Sequence, residues 1–121
     1  MGTRAVVSID EELFVATHWD GYPAGIGCHL LEVHKVEDII EAVREHSINF
    51  VRKDLIVICQ VLQPNIKVED IDNYGDWAEY QYDFNSITGA WKFRKLSGSW
   101  PASQYSASIY RPLTEEECVG N

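Results

Sequence analysis

The chain is short of positive charge. Ten Lys and Arg stand against 19 Asp and Glu, for a formal net charge of −9 and a pI near 4.7. Binding to a phosphate backbone is driven by Lys and Arg displacing counterions, so nucleic acid is not expected as a direct partner. Anionic membrane surfaces are disfavoured for the same reason. Cysteine is sparse: Cys28, Cys59 and Cys118. An odd number without paired spacing argues against a disulfide framework and suits a reducing compartment, so a cytoplasmic location is expected. Long apolar runs are missing, and none approaches the length that crosses a bilayer. No charged-then-apolar leader is seen. Met1-Gly2 has the start of an acylation signal, but Val6 stands where Ser or Thr is required. The two familiar phosphate-binding fingerprints, G-x-x-x-x-G-K-S/T and G-x-G-x-x-G, are both absent.

What is present fits a globular protein. The 121 residues are 45% hydrophobic and 24% charged, which suits a single α+β domain spanning residues 1–121. A chain of this length buries roughly two-thirds of its unfolded surface and needs no metal or disulfide staple. Aromatics are abundant, with four Trp, six Tyr and four Phe. Large rings bury much area each, and Tyr and Trp also need a polar partner.

Arg4–Ile9 and Leu13–Thr17 are β-prone runs separated by the short polar Asp10-Glu11-Glu12, which predicts a β-hairpin. Its turn lacks the Asn-Gly or Asp-Gly signature of the tightest hairpins. A helix is predicted from about Cys28 to His34. A second is clearer: Val36, Ile39, Ile40 and Val43 recur at helical spacing, with Glu37, Asp38, Glu41 and Glu45 on the other face. The run 54–62 reads as a buried strand or a buried helix, and its extension to Leu62 before Pro64 tips the balance slightly to helix. From Trp77 the period becomes two, through Phe84. Asn85–Gly89 is a turn, and Ala90–Leu96 alternates again, which predicts a second hairpin. Residues 105–110 suit a last strand, and 114–117 a short capped helix or a frayed tail. Strands grouped in runs predict an antiparallel sheet of about five strands, with two to three helices on one face.

The candidate site is the segment His18-Trp19-Asp20-Gly21-Tyr22-Pro23-Ala24-Gly25-Ile26-Gly27. Gly21, Gly25 and Gly27 permit close backbone approach. If a helix starts near Cys28, its free N–H groups face the loop as an anion site. His18 and Asp20 can form an orienting pair for a base, with Cys28 the nearest nucleophile in sequence. His18, Asp20, Cys28, His29 and His34 match no metal-ligand spacing, and neither metal nor cofactor is expected. The carboxylates of Glu69, Asp70, Asp72 and Asp76 lack the order of a calcium loop and read as a solvated turn. Arg94, Lys95 and Arg111 with Trp91 and Trp100 form the main basic and aromatic group, suited to stacking or to a phosphate.

The opening Met1-Gly2-Thr3-Arg4, the His18–Pro23 stretch with Gly25 and Gly27, and the Ala78–Tyr82 strand together resemble a group of uncharacterised small proteins from prokaryotes and their viruses. The likeness covers the first quarter of the chain and that strand. It implies a family and no activity. A likeness of the first hairpin to N-terminal-nucleophile hydrolases fails, because Gly2 has no nucleophilic side chain.

The function expected from the sequence is non-catalytic binding of a small polar or phosphorylated, nucleotide-like ligand. The expected contacts are His18, Trp19, Asp20, Gly21, Tyr22, Gly25, Gly27, Arg94 and Arg111. Two alternatives remain open. One is a hydrolase using His18 and Asp20 with Cys28 or water. The other is an acidic protein-interaction or nucleic-acid-mimic accessory protein of viral origin. Self-association is compatible with the sequence and not required by it.

Overall fold

A computed structural model describes residues 3–46, 48–52, 67–69, 78–96 and 110–119. The strands are β1 Ala5–Ile9, β2 Glu12–Thr17, β3 Ile48–Arg52, β4 Lys67–Glu69, β5 Tyr80–Phe84, β6 Trp91–Lys95 and the two-residue β7 Arg111–Pro112. They form one sheet in the order β4-β3-β2-β1-β5-β6-β7. The α+β class therefore holds, but the sheet is mixed rather than antiparallel and wider than the sequence predicts. β1 runs parallel to β5, and β3 parallel to β4. Both predicted hairpins form, β1–β2 and β5–β6. The parallel seam joins one hairpin to the other. Local period-two patterning specifies a strand but not its neighbour, so this seam was not legible.

The first hairpin closes through Asp10 and Glu11, with Ile9 opposite Glu12. Both turn residues have positive φ, 50° and 70°. That is the geometry usually given to Asn-Gly, and without glycine it is strained. Neighbouring bonds hold it: the Asp10 N–H donates to the Phe84 carbonyl at 2.9 Å. The Asp10 carboxylate accepts from the Ser86 N–H at 3.0 Å and the Ser86 hydroxyl at 2.5 Å.

The helical segments are short. A π-helical turn, Pro23–Gly27, runs directly into α1, Cys28–Leu30. The 3-10 turn Val36–Asp38, α2 Ile39–Val43 and the 3-10 turn Arg44–His46 make up the second predicted helix. α3 is Glu115–Val119. The first helix thus begins five residues earlier than predicted, because Pro23 supplies a preset φ at its first position. The 54–62 run, the acidic stretch beyond Glu69 and the strand predicted at 105–110 lie outside the described residues, except for Tyr110, which is not in a strand.

The main core lies between the sheet and the helical layer. Ala5, Val7, Val15, Tyr82, Phe84, Trp91 and Phe93 meet Ile26, Leu30, Ile39, Ile40 and Val43. Burying each large apolar side chain contributes about 1.5–3 kcal/mol. Trp91 fastens the two layers, its indole N–H donating to the Val33 carbonyl at 2.9 Å. On the opposite face of the sheet Val6, Ala16 and Ala78 form a smaller cluster. Among the described residues no helix is long and apolar enough to cross a membrane.

Candidate functional site

The 18–27 loop leaves β2 and is pinned at once to the helical layer. The N–H groups of His18 and Trp19 both donate to the His46 carbonyl, at 3.2 and 3.1 Å. Asp20 takes a left-handed conformation, φ 57°, which Asp tolerates better than most residues. The Gly21 N–H donates to the Thr3 carbonyl at 2.8 Å. The Gly21 carbonyl in turn accepts the Tyr82 hydroxyl at 2.6 Å. Tyr82 is fully buried, and burial pushes its phenol far above the ordinary value of 10. It stays a neutral donor that ties the loop to the centre of the sheet.

The glycines serve this closure. A Cβ on Gly25 would lie 2.4 Å from the Asp20 carbonyl oxygen, and one on Gly21 2.7 Å from the Thr3 oxygen. The Gly25 N–H donates to Tyr22 O at 2.9 Å and the Ile26 N–H to Asp20 O at 2.8 Å. The amides expected to face an anion are therefore turned to the loop's own carbonyls. Gly27 lies inside the helical turn, packed on Leu113, Tyr82 and Pro23.

The loop's outward side chains form a cluster with two partners distant in sequence. Trp19 is 44% exposed and Tyr22 39%, large values for aromatic residues. The His18 ring meets Trp19 edge-on at 4.7 Å. The Tyr22 hydroxyl donates to Asp20 Oδ1 at 3.4 Å. Across from it, Asp20 Oδ2 stands 3.5 Å from Nδ1 of His46. His46 is buried, its ring is 5.1 Å from that of His29, and its Nδ1 makes no hydrogen bond among the described residues. The base opposite Asp20 is thus His46 and not His18. Sequence reasoning missed His46 as a site residue, because it sits at the end of a helix 26 positions further on. Its contact with the loop runs through a backbone carbonyl that carries no sequence signal.

The proposed Cys28, His18 and Asp20 triad is not assembled. The Cys28 thiol lies 3.4 Å from the carbonyl oxygens of Ala24 and Cys118, while Asp20 faces His46. Among the described residues no group of three or more His, Cys, Asp or Glu is set to hold a metal ion.

The two arginines are engaged elsewhere. Arg94 is on β6, separated from β2 by β1 and β5. Its Nε and Nη2 donate to Gln81 Oε1 at 3.1 and 2.9 Å, and its guanidinium lies 4.5 Å from the Tyr110 ring centre. Arg111 lies over the Phe93 ring at 5.1 Å and 3.7 Å from Glu117 of α3. Neither joins the 18–22 cluster.

Arg94 belongs to a polar network on the other face of the sheet. Gln81 Nε2 donates to the Ser8 hydroxyl at 3.0 Å, and Ser8 donates to Asp83 Oδ1 at 2.6 Å. The same oxygen accepts the Glu11 N–H at 2.6 Å. Ser8, Gln81 and Asp83 are all buried. Desolvation raises the Asp83 carboxyl above its usual range, opposed by the Ser8 and Glu11 hydrogen bonds and by Lys92. Alternation places Gln81 and Asp83 opposite Tyr80 and Tyr82 but does not distinguish a buried polar face from a wet one.

Comparison of the chain with protein-family models, characterised proteins and solved structures gave no match.

Proposed function

We propose that the protein binds a small polar ligand with a flat ring, of nucleoside type, without transforming it. The site is the face formed by His18, Trp19, Asp20 and Tyr22 with His29 and His46. The observation that carries this reading is the pair of exposed rings, Trp19 and Tyr22, beside a buried imidazole nitrogen with no hydrogen bond among the described residues. Exposed aromatics supply a stacking surface, and His46 and Asp20 supply a donor and acceptors for the ligand's polar edge. A phosphate is the less suited part of such a ligand. The amides of Gly25 and Ile26 are bonded within the loop, and Asp20 would repel it. Hydrolysis by a cysteine is disfavoured by the direction of the Cys28 thiol.

A thermal-shift screen of nucleosides, their monophosphates and inorganic phosphate tests the proposal. Nucleosides should raise the unfolding temperature, and Trp19→Ala should weaken binding about tenfold, the loss of one stacked ring, while the unliganded protein keeps its stability. Stabilisation by inorganic phosphate alone, or by none of the compounds, would overturn it.

A further inference from the structure

Away from the Trp19 face, the C-terminal helix places a second cysteine beside the first. Cys28 opens α1 and Cys118 lies in α3, 90 positions apart. The Cys28 thiol is 3.4 Å from the Cys118 carbonyl oxygen. Both are free thiols. Both line one open cleft of about 380 Å³, together with Leu31, Glu32, His34 and Glu115. We propose that Cys28 and Cys118 form a reversible thiol-oxidation site, which a small hydroperoxide entering this cleft converts to a disulfide joining α1 to α3.

The two cysteines differ in a way that sets the order of events. Cys28 is half-buried and Cys118 is buried, 6% exposed. Desolvation, the Cys28 thiol and the carboxylates of Glu115 and Glu117 push the Cys118 thiol up, so it is held protonated. Cys28 is the sulfur that meets the oxidant, since attack requires a thiolate with access. Its thiolate attacks one peroxide oxygen, the O–O bond breaks, and a sulfenic acid forms with release of water or an alcohol. The Cys118 sulfur then attacks Cys28, loses its proton and displaces the sulfenic oxygen as a second water. In sum two thiols and one hydroperoxide give one disulfide, one water and one further water or alcohol. The proximity of Cys118 makes this capture intramolecular and protects Cys28 from further oxidation.

The bond has a structural consequence. α3 packs against the Pro23–Gly27 turn and α1, so a 28–118 disulfide staples the end of the chain to the segment carrying the loop. Closing so long a loop restricts the unfolded chain strongly.

The test is oxidation of the full chain with equimolar hydrogen peroxide, followed by intact mass and non-reducing peptide mapping. The expected result is a loss of about 2 Da, two hydrogens per disulfide, in a monomer, a Cys28–Cys118 linked peptide, and reversal by dithiothreitol. The unfolding temperature should rise by roughly 5–15 °C. Cys59→Ser should behave as the wild type. Cys118→Ser should instead accumulate a sulfenic acid at Cys28 that dimedone traps. A linkage through Cys59, a disulfide-linked dimer, or retention of both thiols in the wild type would overturn the proposal.

Discussion

At the scale of single residues, the three loop glycines are not equivalent. Gly25→Ala forces a methyl group to 2.4 Å from a backbone oxygen, and backbone cannot move aside as a side chain can. The expected loss is roughly 2 kcal/mol or more, read as a lower urea midpoint at unchanged slope. Gly27→Ala meets only ordinary contacts of 3.4 Å and beyond in a helical conformation. It should be neutral, or stabilise by up to about 1 kcal/mol. Equal effects at the two positions would refute this account of the loop. Tyr82→Phe is the complementary probe. It removes the only donor seen on the Gly21 carbonyl among the described residues and should cost about 1–3 kcal/mol, since a buried acceptor loses its partner. The sequence shows three glycines in a row of turn-forming residues. Gly25 is crowded by the nearby Asp20 backbone, whereas Gly21 meets the Thr3 backbone and Gly27 the Leu113 side chain, neighbours that only the fold brings close.

At the scale of elements, the β1–β2 turn and strand β5 carry opposing costs. Asp10 and Glu11 occupy left-handed backbone, a penalty of about 1–2 kcal/mol for each non-glycine residue. Glu11→Gly relieves one of these and gives up an exposed ion pair with Lys92 at 3.3 Å, which is worth little. A net gain of up to about 1 kcal/mol is expected, measured as a higher thermal midpoint. The two neighbouring carboxylates respond to acid in opposite senses. The Asp10 carboxyl is held below 3.8 by its Ser86 hydrogen bonds, so its contribution is present above 3.8 and is lost as pH falls through its lower folded value. The Asp83 carboxyl is raised above 3.8. Its ionisation therefore costs stability above the folded value, and that cost fades as pH falls toward 3.8. Asp83→Asn keeps an acceptor for Ser8 and Glu11 and removes the charge. Its stability relative to the wild type should be most favourable at neutral pH and should decline on acidification. Parallel urea profiles from pH 4 to 8 would refute the assignment. Alternation along 80–84 located the strand, yet its buried polar face depends on Ser8 from β1, the parallel neighbour that local pattern does not name.

At the scale of the whole molecule, the two hairpins and the helical layer are held together by long-range contacts. Leu113 and Cys118, both buried, bring the end of the chain onto the Pro23–Gly27 turn. A chain ending at Tyr110 loses β7 and α3 and should unfold with roughly 3 kcal/mol less free energy, the order of one to two buried side chains. Denaturation monitored by near-ultraviolet circular dichroism measures this, and unchanged stability would show that α3 is dispensable. The sequence by itself determined the α+β class, both hairpins, the amphipathic 36–46 segment and the position of the loop. These are written in spacing and turn chemistry, which act over a few residues. Only the tertiary structure decided the mixed sheet, the pairing of Asp20 with His46, the engagement of Arg94 and Arg111 away from the loop, and the meeting of Cys28 with Cys118. Each of these joins segments far apart in the chain. Such contacts are selected by the fit of whole surfaces, and one sequence read locally carries no record of that fit.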